Sequence, residues 1–195
     1  MKVLLFSIEN LSNRIVSALD ASLGVGYPIL FNIIGAISIV LQFLIFQMKH
    51  QRRIVTVGMF SDIGWMLYFV LQGDLISSTA NVIGIMSKTI VLLRGKFKWA
   101  ESRLWNVFFV LFALVFSVFT FKSAIDIFAF IACISSVLAF FMEKENNIRK
   151  VSLISFCAYV CNSISKLYFV ALIADVTALI SIVSSLIRYT KKEEE

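Results

Sequence analysis

Long apolar runs, each near the length needed to cross a bilayer, follow one another along most of this chain. Seven stand out, at residues 29–46, 54–72, 75–93, 104–121, 124–141, 151–170 and 171–187. A span needs about 17–25 mostly apolar residues at about 1.5 Å rise each. The runs are continuous rather than alternating, so they predict helices and not the dyad pattern of a membrane β-barrel. No polar loop separates the sixth run from the seventh, between Val170 and Asp175. Ahead of them, Leu4, Leu5, Ile8, Leu11, Ile15 and Leu19 fall near one helical face, and Lys2, Glu9, Asn13 and Asp20 tend to the other. That pattern predicts an amphipathic helix on the membrane surface, with a frayed terminus as the alternative. Glu9, Asn10, Asn13 and Arg14 interrupt the apolar core a signal peptide would need.

Composition narrows the class. Of 195 residues, 59% are apolar and 15% charged, with 19 Phe, one Pro, one His and three Cys. A disordered chain would be polar and charged, and a disulfide scaffold would hold more Cys in fewer residues. His50 alone makes no His-clustered metal or haem site. Cys157 and Cys161 lie four apart on one helix without a His or acid nearby, so they read as buried apolar residues rather than zinc ligands. The chain reads as an all-α integral membrane protein.

The basic residues sort by side. Lys49, Arg52, Arg53, Arg94, Lys96, Lys98, Arg103, Lys144, Arg149, Lys150, Arg188, Lys191 and Lys192 fall on one side of the seven runs. Lys2, Arg14 and Lys122 fall on the other. The Lys- and Arg-rich side is expected in the cytoplasm, which puts the amino terminus outside and the carboxyl terminus inside. The net charge of +6 then follows from insertion and not from nucleic-acid binding.

The runs also repeat. Residues 34–43 and 131–140 share six of ten positions at an offset of 97. Leu67-Tyr68-Phe69-Val70 recurs as Leu167-Tyr168-Phe169-Val170 at an offset of 100, which pairs Asp62 with Asn162. Ala80-Asn81-Val82, Ser87, Leu92 and Arg94 match Ala174-Asp175-Val176, Ser181, Leu186 and Arg188 at an offset of 94. The expected architecture is seven transmembrane helices as two parallel three-helix repeats joined by a linker helix. Its parts are an amino-terminal segment at 1–28, a first repeat at 29–94, a basic loop and linker helix at 95–123, a second repeat at 124–188 and a charged tail at 189–195. An odd linker restores the chain direction, so the repeats are related by an axis along the membrane normal, and a solute site is expected at their interface.

This three-one-three layout resembles the SWEET and PQ-loop superfamily of small-solute transporters. More closely, the chain is similar to the YgjV family of bacterial inner-membrane proteins. The resemblance rests on Arg52-Arg53 before the second run, on Tyr68-Phe69 followed by Asn81, and on Asp175 thirteen residues before Arg188, and it covers about residues 29–192. It implies a bacterial inner-membrane location. The wider superfamily implies transport, with an Asn in each of the third and seventh helices at the substrate site. Here the second of these is Asp175. The Pro-Gln pair is absent: Leu41-Gln42 and Leu138-Ala139 stand in its place, so proline-hinged gating does not transfer.

Polar groups within the runs are the candidate chemistry, since a charge at the bilayer centre costs about 2.5–3.5 kcal/mol on insertion scales. Asn81 and Asp175 are the expected substrate-binding pair, with interhelical bonding as the alternative for Asn81 and a solvated loop position for Asp175. Asp62 and Lys88 lie at similar depth and are expected to form an ion pair, either a gate or a static structural contact. Asn162, Trp65, Ser87 and Ser181 are candidate cavity-lining residues, and Ser38 and Ser135 recur as small packing positions. Lys166 is expected to snorkel to the outer surface, Asp126 to start a helix, and Tyr68 and Tyr168 to sit in an aromatic belt. No catalytic set, metal site or cofactor is expected, and no Gly-Lys-Ser/Thr stretch suits ATP hydrolysis. The expected partners are a small polar solute, with Asp175 available to carry a coupling proton, and the lipid bilayer. A non-transporting assembly partner or sensor is the alternative.

Overall fold

The structure, a computed structural model, describes residues 10, 14, 16–24, 26–72, 75–120, 124–165, 167 and 169–190. Among them the chain is helical throughout: α1 Gly26–Gln47, α2 Gln51–Leu71, α3 Leu75–Leu93, α4 Leu104–Thr120, α5 Asp126–Phe140, α6 Glu145–Ser165 and α7 Phe169–Thr190. Residues 16–23 are also helical, and a short 3-10 turn spans Lys98–Glu101. Most of the predicted surface helix, together with Lys122, Lys166, Tyr168 and the tail at 191–195, lies outside the described residues.

Apolar run and helix differ most at α6. The run begins at Val151, but the helix begins six residues earlier with Glu145 in its first turn. An acid there suits the positive end of the helix dipole, and hydropathy does not register a polar first turn. The helix also ends earlier than the run, at Ser165. Leu167 has φ +56°, a left-handed conformation unusual for a side chain of its size, and there the chain turns into α7. The break therefore lies before Val170, and Asp175 stands inside a helix rather than in a loop.

Three helices among the described residues are long and apolar enough to cross a membrane, at Gly26–Gln47, Gln51–Leu71 and Phe169–Tyr189. Shorter apolar helices occupy Ser78–Leu93, Leu104–Val118 and Asp126–Phe140. α6 carries Glu145, Arg149 and Lys150 along with several serines, and is the most polar of the long helices.

α2 packs between α1 and α3, and α6 packs between α5 and α7. α1 lies against α7 and α3 against α5, while α4 rests mainly on α5. A core of Phe46, Ile54, Val55, Ile83, Phe109, Ile148 and Ile182 fills the space between them. α2 and α6 begin 94 residues apart, at Gln51 and Glu145, and end 94 apart, at Leu71 and Ser165; α3 and α7 begin 94 apart, at Leu75 and Phe169. Ser61 Oγ donates to the Ser38 carbonyl (3.4 Å), and 94 residues on Ser155 Oγ donates to the Ala132 carbonyl (2.7 Å).

An offset of 94 thus relates α2 to α6 and α3 to α7 at these bounds, whereas α1 and α5 begin 100 residues apart and end 93 apart. At about 100° per residue, a three-residue slip turns a helix face by about 60° and a six-residue slip by about 120°. Of the letters matched at an offset of 97, Val40 and Phe43 are exposed whereas Val137 and Phe140 are buried. At an offset of 94, Asn162 falls opposite Tyr68, and Asp62 opposite Phe156. Trp65 corresponds to Tyr159.

Candidate functional site

Apolar side chains line much of the outside of this bundle, and part of its interior is polar. Ile29, Ile33, Ile37 and Val40 of α1, Leu104, Leu111 and Val118 of α4, and Ile173, Ile180 and Ile187 of α7 are exposed. Ser38, Gln42, Ser61, Ser87, Lys88, Arg149, Ser155, Asp175, Ser181 and Ser185 are buried. Water would favour the reverse. Lipid allows it, because polar side chains in hydrocarbon are satisfied only against one another.

Asp62 and Lys88 meet across α2 and α3, with Lys88 Nζ 2.5 Å from Asp62 Oδ2. The ammonium group also lies 4.0 Å from the centre of the Phe140 ring, so α5 completes its surroundings. Two glycines make the space. A methyl at Gly84 would stand 2.3 Å from Asp62 Oδ2, and one at Gly58 would stand 3.0 Å from Lys88 Cε. Gly84, Gly58 and Phe140 are parts of this arrangement that the charges alone did not single out. A Gly one turn before Lys88, at Gly84, was the available signal.

Asp175 is buried in the second turn of α7, where its Oδ2 accepts a bond from Ser163 Oγ of α6 (2.7 Å). Ser163 is a participant that hydropathy passes over. Asn162, beside Ser163, has a buried carboxamide oxygen without a hydrogen-bond partner among the described residues. Asn81, the 94-residue counterpart of Asp175, is half-buried in α3.

The other candidates are held by their neighbours. Trp65 is buried, stacks on Phe69 and donates its indole N–H to Gln42 Oε1 (2.6 Å). Gln42 in turn donates to the Ala174 carbonyl of α7 (3.4 Å), so one amide ties α1, α2 and α7 together. Gln47 Nε2 reaches the Ser181 carbonyl (3.1 Å), Ser181 Oγ (3.0 Å) and Ser184 Oγ (3.1 Å). Ser181 Oγ itself donates to the Phe43 carbonyl, which commits it to the α1–α7 contact. Ser87 Oγ bonds within its own helix, to the Gly84 carbonyl.

Two expectations need correction. Arg149, grouped with the loop cations, is 2% exposed inside α6. Its guanidinium donates to the Phe46 and Met48 carbonyls at the end of α1 and to Asn146 Oδ1, and lies 4.3 Å from the centre of the Tyr189 ring. A helix leaves its last carbonyls unpaired, and Arg149 supplies their donors from another helix. Cys157 and Cys161 are exposed on α6 rather than buried.

A bundle of apolar-faced helices with charges and amides turned inward is a membrane protein. Over residues 29–193 the chain matches the Imp-YgjV family, described as bacterial inner membrane protein, and it belongs to that family. Neither the curated proteins nor the solved structures yielded a match.

Proposed function

We propose that the protein is a secondary transporter or facilitator of a small polar solute, working by alternating access between two three-helix units. In this reading the seven helices span the membrane as 3-1-3, with α1–α3 and α5–α7 as parallel repeats and α4 as the linker. The amino terminus is outside and the carboxyl terminus is cytoplasmic, following the Lys and Arg distribution. The observation that carries the reading is Asp175. It is buried within α7 at the position matching Asn81 of α3, and it accepts a hydrogen bond from Ser163 of α6. An intramembrane ionisable group is by default a site for solute, ion or proton. The common offset of 94 supports the repeat, and the resemblance to SWEET and PQ-loop transporters agrees with it.

Within this scheme Asn81 and Asp175 bind solute, and Asp175 carries the proton if transport is coupled. The Asp62–Lys88 pair serves as a gate: it links α2 to α3 and, through Phe140, to α5 of the other unit. A non-transporting assembly partner or sensor is the second reading. It is favoured by the bonds that tie Asp175, Trp65 and Ser181 to neighbouring helices.

The test is a ligand-stabilisation screen of purified protein with sugars, nucleosides, vitamins and amino acids. A ligand at about 100 times its dissociation constant adds about 2.7 kcal/mol. Under the proposal a hit is lost in both Asp175→Ala and Asn81→Ala. A hit that survives both moves the site elsewhere, and an empty screen shifts the balance to the second reading. For a transported hit in proteoliposomes, Asp175→Asn abolishes the pH dependence of uptake. Unchanged pH dependence rejects the proton role.

A further inference from the structure

A polar recess lies away from Asp175, at the end of the bundle that carries the basic loops. It encloses about 400 Å³ and is lined by Arg52, Arg94, Arg103, Asn106, Glu101 and Glu143, among others. That volume falls in the range of about 300–1,000 Å³ typical of small-ligand sites. Its three arginines are not equivalent. Arg94 is committed, for it donates to Asn106 Oδ1 (2.6 Å) and to the Ala100 carbonyl (3.4 Å), and lies over the Phe141 ring. Burial lowers the pKa of its guanidinium, and Glu143 opposes that shift. Arg52 makes one long bond, to the Arg94 carbonyl (3.4 Å), and the Arg103 side chain has no ion-pair partner among the described residues.

We propose that this recess binds the phosphate ester of a polyol. Arg52 and Arg103 are two guanidinium forks open to a phosphate, and such pairs are often bidentate. Glu101 and Glu143 bring the cluster to a single net positive charge. Their exposed carboxylates are acceptor-only, so from a bound ligand they take donors such as the hydroxyls of a polyol. Gly95, with φ +79°, turns the loop so that Arg52 Nη2 passes 3.4 Å from where its Cβ would stand. Phe97 and Trp99, in the stretch between the lining residues Gly95 and Glu101, are exposed, as aromatic residues are at headgroup level. A glycerol-bearing phospholipid of the surrounding leaflet is one source of this chemistry, and a soluble polyol phosphate is the other. The proposal does not depend on solute transport.

The test uses the full chain, purified and delipidated in neutral detergent. Phosphatidylglycerol and sn-glycerol 3-phosphate are titrated separately, with binding read by native mass spectrometry and by the shift in melting temperature. Each lost charge-assisted contact is expected to weaken binding about tenfold or more, so Arg52→Gln with Arg103→Gln is expected to weaken it about hundred-fold or more. Arg53→Gln, an exposed cation outside the lining, is expected to change it little. Such a loss for the lipid identifies a headgroup site, and for glycerol phosphate alone a soluble ligand; either supports the chemistry. Equal binding by the double variant overturns it, as does an equal loss from Arg53→Gln. Glu101→Ala with Glu143→Ala gives an independent check. It should retain phosphate binding but erase the preference for phosphatidylglycerol over phosphatidic acid, and a preserved preference overturns the polyol part.

Discussion

The Asp62–Lys88 pair gives the sharpest quantitative prediction. Its side chains are 18% and 4% exposed respectively, so neither charge is well hydrated. In soluble proteins, removing one partner of a buried pair costs about 3–5 kcal/mol, because the other charge is left uncompensated. A membrane protein loses less, since its unfolded helices remain in lipid and find other partners; measured interhelical bonds there average about 0.6 and reach about 1.7 kcal/mol. A charge-assisted contact lies above that average, so the coupling between Asp62→Asn and Lys88→Met is expected at about 1–3 kcal/mol. Lys88 has a second contact that Asp62 lacks, the Phe140 ring at 4.0 Å. A desolvated cation–π contact is worth about 2 kcal/mol, so Lys88→Met should cost about 1–2 kcal/mol more than Asp62→Asn. Reversible unfolding in mixed detergent micelles, followed by tryptophan fluorescence of both single variants and the double, measures these quantities. Sites that do not interact add to within about 0.3–0.5 kcal/mol. A coupling below that limit, or an Asp62→Asn cost above that of Lys88→Met, would refute the arrangement.

Other substitutions probe the remaining contacts by the same unfolding assay. Gly84→Val places its Cβ 2.3 Å from Asp62 Oδ2 and should cost about 1–3 kcal/mol as overpacking; little loss in that variant, together with an unchanged Asp62–Lys88 coupling, would show that the helices have room to separate. Arg149→Met removes the donors that close the end of α1 and should cost about 3 kcal/mol or more. Arg149→Lys should recover little of it, because an ammonium cannot reproduce the guanidinium fork. Gln42→Leu leaves the buried Trp65 indole N–H without its acceptor and should cost about 1–3 kcal/mol, with a change in tryptophan emission. An unshifted emission would mean that the bond is not kept in solution.

Much of the architecture was legible in the chain. Leu75–Leu93 agrees with its apolar run at both ends, and α1, α2, α4, α5 and α7 agree to within a few residues. α6 escaped because its ends answer to other rules: an acidic first turn starts it, and a left-handed Leu167 follows it. The polar residues inside the runs were visible as exceptions, so Asp62, Lys88, Asn81 and Asp175 could be named without a structure. Their partners could not. Ser163 is an ordinary residue of a half-polar helix until α7 lies against it, and Arg149 read as a loop cation until α1 ended beside it.

By itself the sequence determined that this is a helical membrane protein, roughly where its helices lie, and which charges had to be hidden from lipid. These follow from transfer energies that each residue carries regardless of its neighbours. The tertiary structure decided the offset of 94 between matching helices, the pairing of Asp62 with Lys88 under Phe140, and the bridge from Gln42 to Trp65 and Ala174. Those depend on how far each helix is rotated about its axis, and one residue of slip turns a face by about 100°. In a chain this rich in interchangeable apolar residues, matched letters do not fix that rotation. Only the contacts between helices do.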